Sequence, residues 1–427
     1  MRQKMFESCD CTDDNKRVIE YFLSLSAGHP RTLALLKAEL TYLATTGVAC
    51  VLRRWQSSYK ESQPEAVHDK VIEHILAKTV YKQEVSLDEW IILEGVNPIR
   101  VKELIRRAVI INPIDPSRAI TFVPQLSLLF LRHWSSKIVG SAKTIGNRLK
   151  SLVFRLLQLG ENLNPTAFEE FHLLFEQLRC WTWHKLFPQR KYETLATWFR
   201  GGVFVRSLEK TKQSTCQVIP QDPFSADEHA ASQVEIKNLR EATGPIKRSF
   251  LARAGQPGLD ILTPMGNKLV CFEARYSEPA ESTASKLSAS KDVKKKSVLF
   301  SKEVNASKMT LSGEKINVAK CVFVLVAHRD KLSPHIDFSD TCNKSTGDKD
   351  IQQQYDAQSF PIIVFDRETL LDRYGPTFRK LCGFMLSYSH RHYQTAAART
   401  KGDVTLASVS ASAAATSSTT FETDTLT

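Results

Sequence analysis

The chain lacks the features that mark several classes of protein. Its 427 residues contain no apolar run of about 18, so the sequence predicts no transmembrane helix. The segment from Met1 to Asp10 has no apolar stretch of the kind found in a secretory signal, so no signal is expected in this chain. Wholesale disorder is excluded, because a hydrophobic share of 42% is enough to build buried cores. At about 150 residues per domain, the length indicates two or three domains.

The nine cysteines form no CxxC pair. A zinc ribbon or finger needs such pairs, or Cys and His pairs, at short spacing so that four ligands meet at one ion. Cys271 and Cys321 lie inside apolar runs and are interpreted as small core residues. The cysteines therefore indicate a reducing compartment and no zinc site.

The common catalytic motifs are also missing. The sequence contains no GxxxxGK[ST] phosphate loop, so no nucleotide-binding residues are predicted, and it has no HExxH, GxSxG or glycine-rich dinucleotide fingerprint. What it does have is positive charge, with 58 Lys and Arg against 46 Asp and Glu and a net charge of +12. This balance favours a polyanionic partner, and nucleic acid is the most plausible one.

Hydrophobic periodicity divides the chain into four regions. Residues 1–60 have helical spacing, and residues 68–135 form a compact pattern of helices and short strands. Residues 150–395 alternate between helical and strand patterns and predict an α/β domain with a mixed sheet flanked by helices. Residues 396–427 are rich in Ala, Ser and Thr without periodicity, so we expect a disordered tail.

The second region has the pattern of a winged helix. Its predicted elements are helices over 71–76, 87–91 and 99–107, followed by a hairpin between 109–113 and 119–123. The third helix carries four basic residues, Arg100, Lys102, Arg106 and Arg107, which would face the major groove in a DNA-binding winged helix. The alternative is a solvated helix face that serves only for packing between domains.

A second basic cluster consists of Lys294, Lys295 and Lys296. Such a run is typical of a nuclear localisation signal or of a phosphate contact, and the alternative is a solvated loop.

The most informative stretch is a predicted hairpin over 258–276. Gly266 and Asn267 form a two-residue turn with glycine at its first central position. If these two residues are the loop, Asp260 lies directly opposite Glu273. Directly opposed side chains have Cβ atoms about 4.5–5.5 Å apart, so the two carboxylates could share one divalent cation.

This arrangement suits metal-dependent phosphodiester cleavage, in which carboxylates hold Mg²⁺ and the metal activates water. Arg275 would lie on the same face as Glu273, because strand side chains alternate, and its charge could stabilise the phosphate. Arginine cannot readily deprotonate water, however, since its pKa stays above about 12. The alternative is a salt bridge between the hairpin acids and Arg275. A rival motif, Asp222 with Glu235-Ile-Lys237, lies in a polar context and is interpreted as a solvated helix.

Four stretches together resemble the C-terminal part of Crinkler-type and retrotransposon-hot-spot-type proteins. In that group a STAND/AAA-like P-loop NTPase is joined to a restriction-endonuclease-like domain of the PD-(D/E)xK superfamily. The resemblance covers roughly residues 17–390. The stretches are Ala27-Gly-His-Pro-Arg31, Ala167-Phe-Glu-Glu-Phe-His172, Gly258-Leu-Asp260 with Phe272-Glu-Ala-Arg-Tyr-Ser277, and Ile363-Val-Phe-Asp-Arg-Glu-Thr-Leu370 with Tyr374-Gly-Pro376.

The resemblance implies a role for each matching residue. Glu169 would be the acid on the helix, with Glu170 as a close alternative. Asp260 and Glu273 would bind Mg²⁺, and Arg275 would occupy the lysine position. Residues 1–60 would be a remnant of the NTPase lid, because the sequence upstream of Gly28 leaves no room for the phosphate loop.

The expected function is therefore that of a Crinkler-like DNA-binding protein with a nuclease fold, an endodeoxyribonuclease if arginine is tolerated at the lysine position. Such effectors are secreted and act in the host-cell nucleus. The alternatives are a catalytically inactive effector that binds DNA or host nuclear proteins, and a degenerate fragment of an NTPase-nuclease without activity of its own.

Overall fold

A computed structural model describes the central part of the chain. The described residues are 54, 67–107, 109–111, 121–138, 144–161, 165–206, 216–224, 236–237, 243–253, 258–275, 289–327, 346–379 and 381. Apart from residue 54, the predicted lid remnant over 1–60 lies outside these ranges, as does the tail predicted over 396–427. In the described part, no helix has the length and apolar character needed to cross a membrane.

The helices and strands alternate through most of these ranges, so the protein is a mixed α/β protein. The helices are α1 (Asp69–Val80), α2 (Val101–Arg106), α3 (Leu128–Ser136), α4 (Ile145–Glu161), α5 (Pro165–Leu186), α6 (Leu195–Trp198), α7 (Ala289–Ala306), α8 (Thr346–Asp356) and α9 (Arg367–Arg373). The first nine strands are β1 (Val85–Ser86), β2 (Trp90–Ile91), β3 (Ile99–Arg100), β4 (Ile110–Ile111), β5 (Thr121–Phe122), β6 (Gln125–Leu126), β7 (Glu193–Thr194), β8 (Val203–Arg206) and β9 (Gln217–Val218). The others are β10 (Ile236–Lys237), β11 (Thr243–Pro245), β12 (Phe250–Ala252), β13 (Ile261–Met265), β14 (Lys268–Arg275), β15 (Lys308–Leu311), β16 (Glu314–Lys315), β17 (Cys321–Ala327) and β18 (Ile362–Phe365).

The largest sheet has seven strands in the order β10-β12-β13-β14-β17-β18-β8. Strands β12, β13 and β14 are antiparallel neighbours, whereas β14, β17 and β18 run parallel to one another. A mixed sheet of this kind needs helical crossovers between its parallel strands, and α7 precedes β17 while α8 precedes β18.

Both faces of this sheet are covered by helices. On β14, Val270 and Phe272 belong to the core that includes α5, whereas Leu269 and Cys271 belong to a second core that includes α7. Neighbouring strands are buried on both faces in the same alternating way, which explains their continuous apolar sequence.

The predicted hairpin is confirmed. Strand β13 pairs with β14 in the register that places Met265 opposite Lys268 and Ile261 opposite Phe272. Gly266 has a φ of +65°, a left-handed conformation that glycine adopts without steric cost. Two further strands, β17 and β18, continue the sheet beyond β14 within the region predicted to be α/β.

The helix predicted over 87–91 is wrong. Trp90 and Ile91 instead form β2, which pairs with β3 in antiparallel orientation. The apolar residues at 87, 90 and 91 have helical spacing, but Gly95 turns the chain with a φ of +71° and allows a hairpin. Trp90 is then half exposed and stacks beneath the guanidinium group of Arg100, 4.5 Å from the ring centroid.

The predicted wing is also paired differently. Strand β4 pairs with β6, and β5 pairs with β1, so the two strands expected to form one hairpin belong to two separate ladders. The interpretation of the segment around residue 236 as a solvated helix is also wrong. Its residues form β10, which pairs with β12 at the edge of the large sheet.

The region of residues 68–135 is packed tightly against the α/β region. One hydrophobic cluster runs from α1 through α5 to the face of β14 that carries Phe272. The buried Thr377 hydroxyl accepts a hydrogen bond from the Leu126 amide at 2.9 Å, and the Tyr81 hydroxyl donates to the carbonyl of Arg179 at 3.2 Å. This region therefore shares its core with the α/β region.

Candidate functional site

The Asp260 side chain lies beside Glu273. The amide of Asp260 donates to the carbonyl of Phe272 at 3.0 Å, and its Oδ2 accepts from the amide of Ala274 at 2.7 Å. Asp260 thus bonds to the residues on both sides of Glu273. The paired register of the hairpin ends at Ile261 opposite Phe272, and the direct opposition of the two acids stays a prediction.

Glu273 is a buried acid, with 2% of its surface exposed. It follows Leu269 and Cys271 in the alternation along β14, so it faces α7. From that helix, Lys296 Nζ contacts Glu273 Oε1 at 2.7 Å. Because an uncompensated charge is costly to bury, the lysine is the natural counter-ion of this glutamate.

The predicted helix acids lie on α5, which packs against the opposite face of the sheet. Glu169 is half-buried there, and Glu170 makes a bidentate ion pair with Arg155, at 2.7 and 3.0 Å. Within the described ranges, no group of three or more His, Cys, Asp or Glu side chains has the geometry to hold a metal ion. Arg275 is the last residue of β14 and pairs with Ala327.

The lysine cluster lies in α7, so the interpretation as a solvated loop is wrong. Lys294 is 97% buried, with its ammonium 5.9 Å from the Tyr355 ring centroid, whereas Lys295 is exposed. The helix has one apolar face, with Val293 and Phe300 fully buried. Lys296 lies three residues after the first and four before the second, so it shares that face. This spacing is a signal that could have placed Lys296 near the sheet.

Three of the four basic residues predicted on the third helix of the winged-helix pattern contact neighbouring side chains. Arg100 stacks on the ring described above, Lys102 lies 3.6 Å from Asp88, and Arg106 lies 2.9 Å from Glu103. Arg107 follows α2 directly. These contacts fit the packing alternative for the helix as well as the DNA-binding one.

Three of the four stretches that carry the family resemblance meet in the core. His172 Nδ1 lies 3.0 Å from the Tyr374 hydroxyl, and the His172 ring contacts Phe272 edge to face at a centroid distance of 4.8 Å. The stretch at Ala27–Arg31 lies outside the described residues. The common feature of the three is therefore packing between α5, β14 and the segment after α9.

A buried charge cluster lies next to this contact. Arg373 makes two hydrogen bonds of 2.8 Å to Glu176, and both Arg373 and Arg179 donate to the carbonyl of Trp198. Burial is the largest influence on Glu176 and opposes its ionisation, but the charge and the hydrogen bonds of Arg373, together with the charge of Arg179, outweigh it and lower the pKa of that carboxyl. Burial lowers the pKa of His172 to about 4, so this imidazole is neutral at pH 7. The sequence patterns did not reveal this cluster.

The described fold is mixed α/β. At the end of its central hairpin, Asp260 bonds to the amide of Ala274, and Lys296 of α7 contacts the neighbouring Glu273. No protein-family model, curated protein or solved structure matches the chain. The function is therefore argued from the geometry of the site and from the sequence resemblance.

Proposed function

We propose that this chain is a DNA-binding protein with a restriction-endonuclease-like domain that cleaves phosphodiester bonds with Mg²⁺. The observation that carries the proposal is the bonding of Asp260 to the carbonyl of Phe272 and the amide of Ala274, the two neighbours of Glu273. A mixed sheet covered by helices on both faces is the architecture that the Crinkler-like resemblance implies, and the described fold is of this coarser kind.

The chemistry follows from the residue types. Asp260 and Glu273 would supply the oxygen ligands that a hard divalent cation prefers. The metal would polarise the scissile phosphate and lower the pKa of the attacking water. Water then forms a bond to phosphorus, one ester bond breaks, and the leaving alkoxide takes up a proton.

The net charge of +12 supports DNA as the partner and is compatible with a nuclear location. On α2, Arg106 is 71% exposed in its side chain and remains accessible to a phosphate even while it contacts Glu103.

A plasmid-nicking assay of the whole chain tests the proposal. We expect nicking with Mg²⁺ or Mn²⁺, loss of nicking with EDTA, and loss in Asp260→Asn. Asparagine can still accept the hydrogen bond from the Ala274 amide, so this variant removes charge while preserving the local structure. Asp372→Asn, at an exposed ion pair with Lys82, is the matched control. Metal-independent nicking, or full activity in Asp260→Asn, would contradict the proposal.

A second candidate is an inactive effector that uses the same fold to bind DNA or host nuclear proteins. One observation favours it, the ion pair between the buried Glu273 and Lys296, which already neutralises the acid that would bind the metal. If the purified chain binds DNA in a salt-dependent manner but never cleaves it with any divalent metal, this candidate replaces the first.

A further inference from the structure

We propose that Lys296, rather than Arg275, supplies the cationic group that stabilises the phosphate during cleavage. The inference rests on the proposed function, since it assigns one more residue to the same site. It replaces the assignment implied by the sequence motif, in which the cation follows the glutamate by two residues on the same strand.

The first argument is the position of the ammonium group. Lys296 Nζ lies 2.7 Å from Glu273 Oε1, and the Lys296 side chain keeps 18% of its surface exposed. The amide of Ala274, next to Glu273, holds the Asp260 carboxylate. The ammonium group therefore contacts one acid directly, the other acid is bonded to the next backbone position of β14, and the lysine retains access to solvent.

The second argument is the close approach of α7 to the segment that carries Asp260. Gly258 has a φ of +75°, and a Cβ built on it would lie 2.9 Å from both the carbonyl oxygen of Lys296 and the amide nitrogen of Phe300. Only glycine allows this contact. The backbone of Lys296 is thus fixed against the residue two positions before Asp260.

The third argument is that neighbouring lysines do not share this position. Lys294 is buried beneath the ring of Tyr355, and Lys295 points to solvent. The buried residues Val293 and Phe300 fix the helix face on which Lys296 lies. The direction of the Lys296 side chain is therefore set by the packing of α7.

The chemistry needs such a cation. As water attacks phosphorus and the ester bond breaks, negative charge increases on the non-bridging oxygens, and an ammonium group held beside the metal ligands stabilises it. The leaving alkoxide takes up a proton, so the step consumes only water. Glu273 and Asp260 would hold the cation, and Lys296, no longer the sole counter-ion of Glu273, would be available to the phosphate.

Single-turnover nicking of supercoiled plasmid with Mg²⁺ tests the assignment. Removing one group that stabilises the transition state slows cleavage by about 10²–10³-fold, so we expect that loss in Lys296→Met. Lys302→Met, at an exposed position of the same helix, is the matched control and should remain within about threefold of the parent rate. Arg275→Met tests the motif assignment, which requires this variant to be the slow one. Lys296→Arg keeps the charge beside Glu273 and should retain more activity than Lys296→Met.

Metal binding separates a chemical role from a structural one. Because Lys296 competes with the cation for Glu273, Lys296→Met should bind Mn²⁺ at least as tightly as the parent by calorimetry, even though it cleaves more slowly. A variant that had merely lost its structure would lose both properties. Circular dichroism and thermal unfolding of Lys296→Arg provide a folded reference.

The outcomes distinguish the two proposals. If Asp260→Asn is inactive while Lys296→Met cleaves at the parent rate, the Lys296 assignment is overturned and the proposed function stands. If Arg275→Met is the slow variant, the motif assignment is right and ours is wrong. If the parent chain cleaves with no divalent metal supplied, or never cleaves, the proposed function fails and the Lys296 assignment fails with it.

Discussion

Arg373 and Glu176 form a bidentate ion pair in the protein interior, with two N–O distances of 2.8 Å and at most 1% of either side chain exposed. The pair joins α9 to α5, and Arg373 also donates to the carbonyl of Trp198 at 2.8 Å. It therefore connects three segments of the chain that are far apart in sequence.

Breaking this pair from one side should be costly. Glu176→Gln leaves the buried charge of Arg373 uncompensated, and we expect the free energy of unfolding to fall by about 3–5 kcal/mol. Urea denaturation followed by circular dichroism measures the change. The control is Glu170→Gln on the same helix, whose partner Arg155 is half exposed, and there the expected loss is about 0–1 kcal/mol.

Replacing both partners provides a second check. The double variant Glu176→Leu with Arg373→Met removes both charges, so it should be less destabilised than the sum of its single variants. If the loss of stability in the double variant equals the sum of the losses in the two single variants, the cost comes from altered packing.

The free energy of unfolding should fall as the pH is lowered from 6.5 to about 4, because His172 titrates differently in the folded and unfolded states. Its pKa is lowered from 6.5 to about 4 by burial, so the unfolded chain binds a proton in this range and the folded chain does not. The stabilisation is complete above pH 6.5 and is lost progressively between 6.5 and about 4. That pKa difference corresponds to about 3 kcal/mol.

Urea titrations at several pH values between 7 and 4.5 measure this slope. In His172→Gln the slope should be flatter, while the amide can still bond the Tyr374 hydroxyl. Part of the slope will remain, because burial also lowers the pKa of His74. Glu176 contributes in the same direction only at lower pH, since its pKa lies below the ordinary 4.5. An unchanged slope in the variant would show that the pKa of His172 is the same in the folded and unfolded states.

Alanine at Gly258 should displace α7. The new Cβ would lie 2.9 Å from backbone atoms of Lys296 and Phe300, which cannot rotate away as a side chain can. Gly244→Ala is the matched control, because Gly244 also has a positive φ, +84°, but an added Cβ would meet nothing within 4 Å.

We expect Gly244→Ala to cost about 1–2 kcal/mol from backbone strain alone. Gly258→Ala should lose about 1–3 kcal/mol more in urea denaturation because of overpacking. It should also slow plasmid nicking, if the position of Lys296 matters as proposed. Equal stability losses in the two variants would contradict the close packing of α7 against this turn.

Local sequence was sufficient for four strands of the large sheet, β13, β14, β17 and β18, and for the hairpin. The apolar runs in β14 and β17 are continuous because both of their faces are buried, and Gly266 favours one turn and hence one register. Extended by one residue, that register predicts Asp260 opposite Glu273, and in the structure the Asp260 side chain bonds the amide of Ala274, next to Glu273.

The strand pairing within residues 68–135 could not be predicted from the sequence in the same way. Strands β4, β5 and β6 have only two residues each, too few to specify a partner, so β4 pairs with β6 and β5 pairs with β1 because of the surrounding core. Likewise, the spacing at residues 87–91 is compatible with a helix, and a glycine turn together with the stacking of Trp90 on Arg100 favours the strand.

By itself, then, the sequence determined the acidic hairpin, because a turn and an alternating pattern are local properties of a few adjacent residues. The tertiary structure decided which cation lies beside it. Lys296 lies in α7, more than twenty residues after Glu273 in the sequence. It contacts that buried acid because α7 packs against the sheet with this lysine on its inner face. Helical spacing places Lys296 on the apolar face of α7, but which strand that face meets depends on how the elements pack, and no local pattern encodes that.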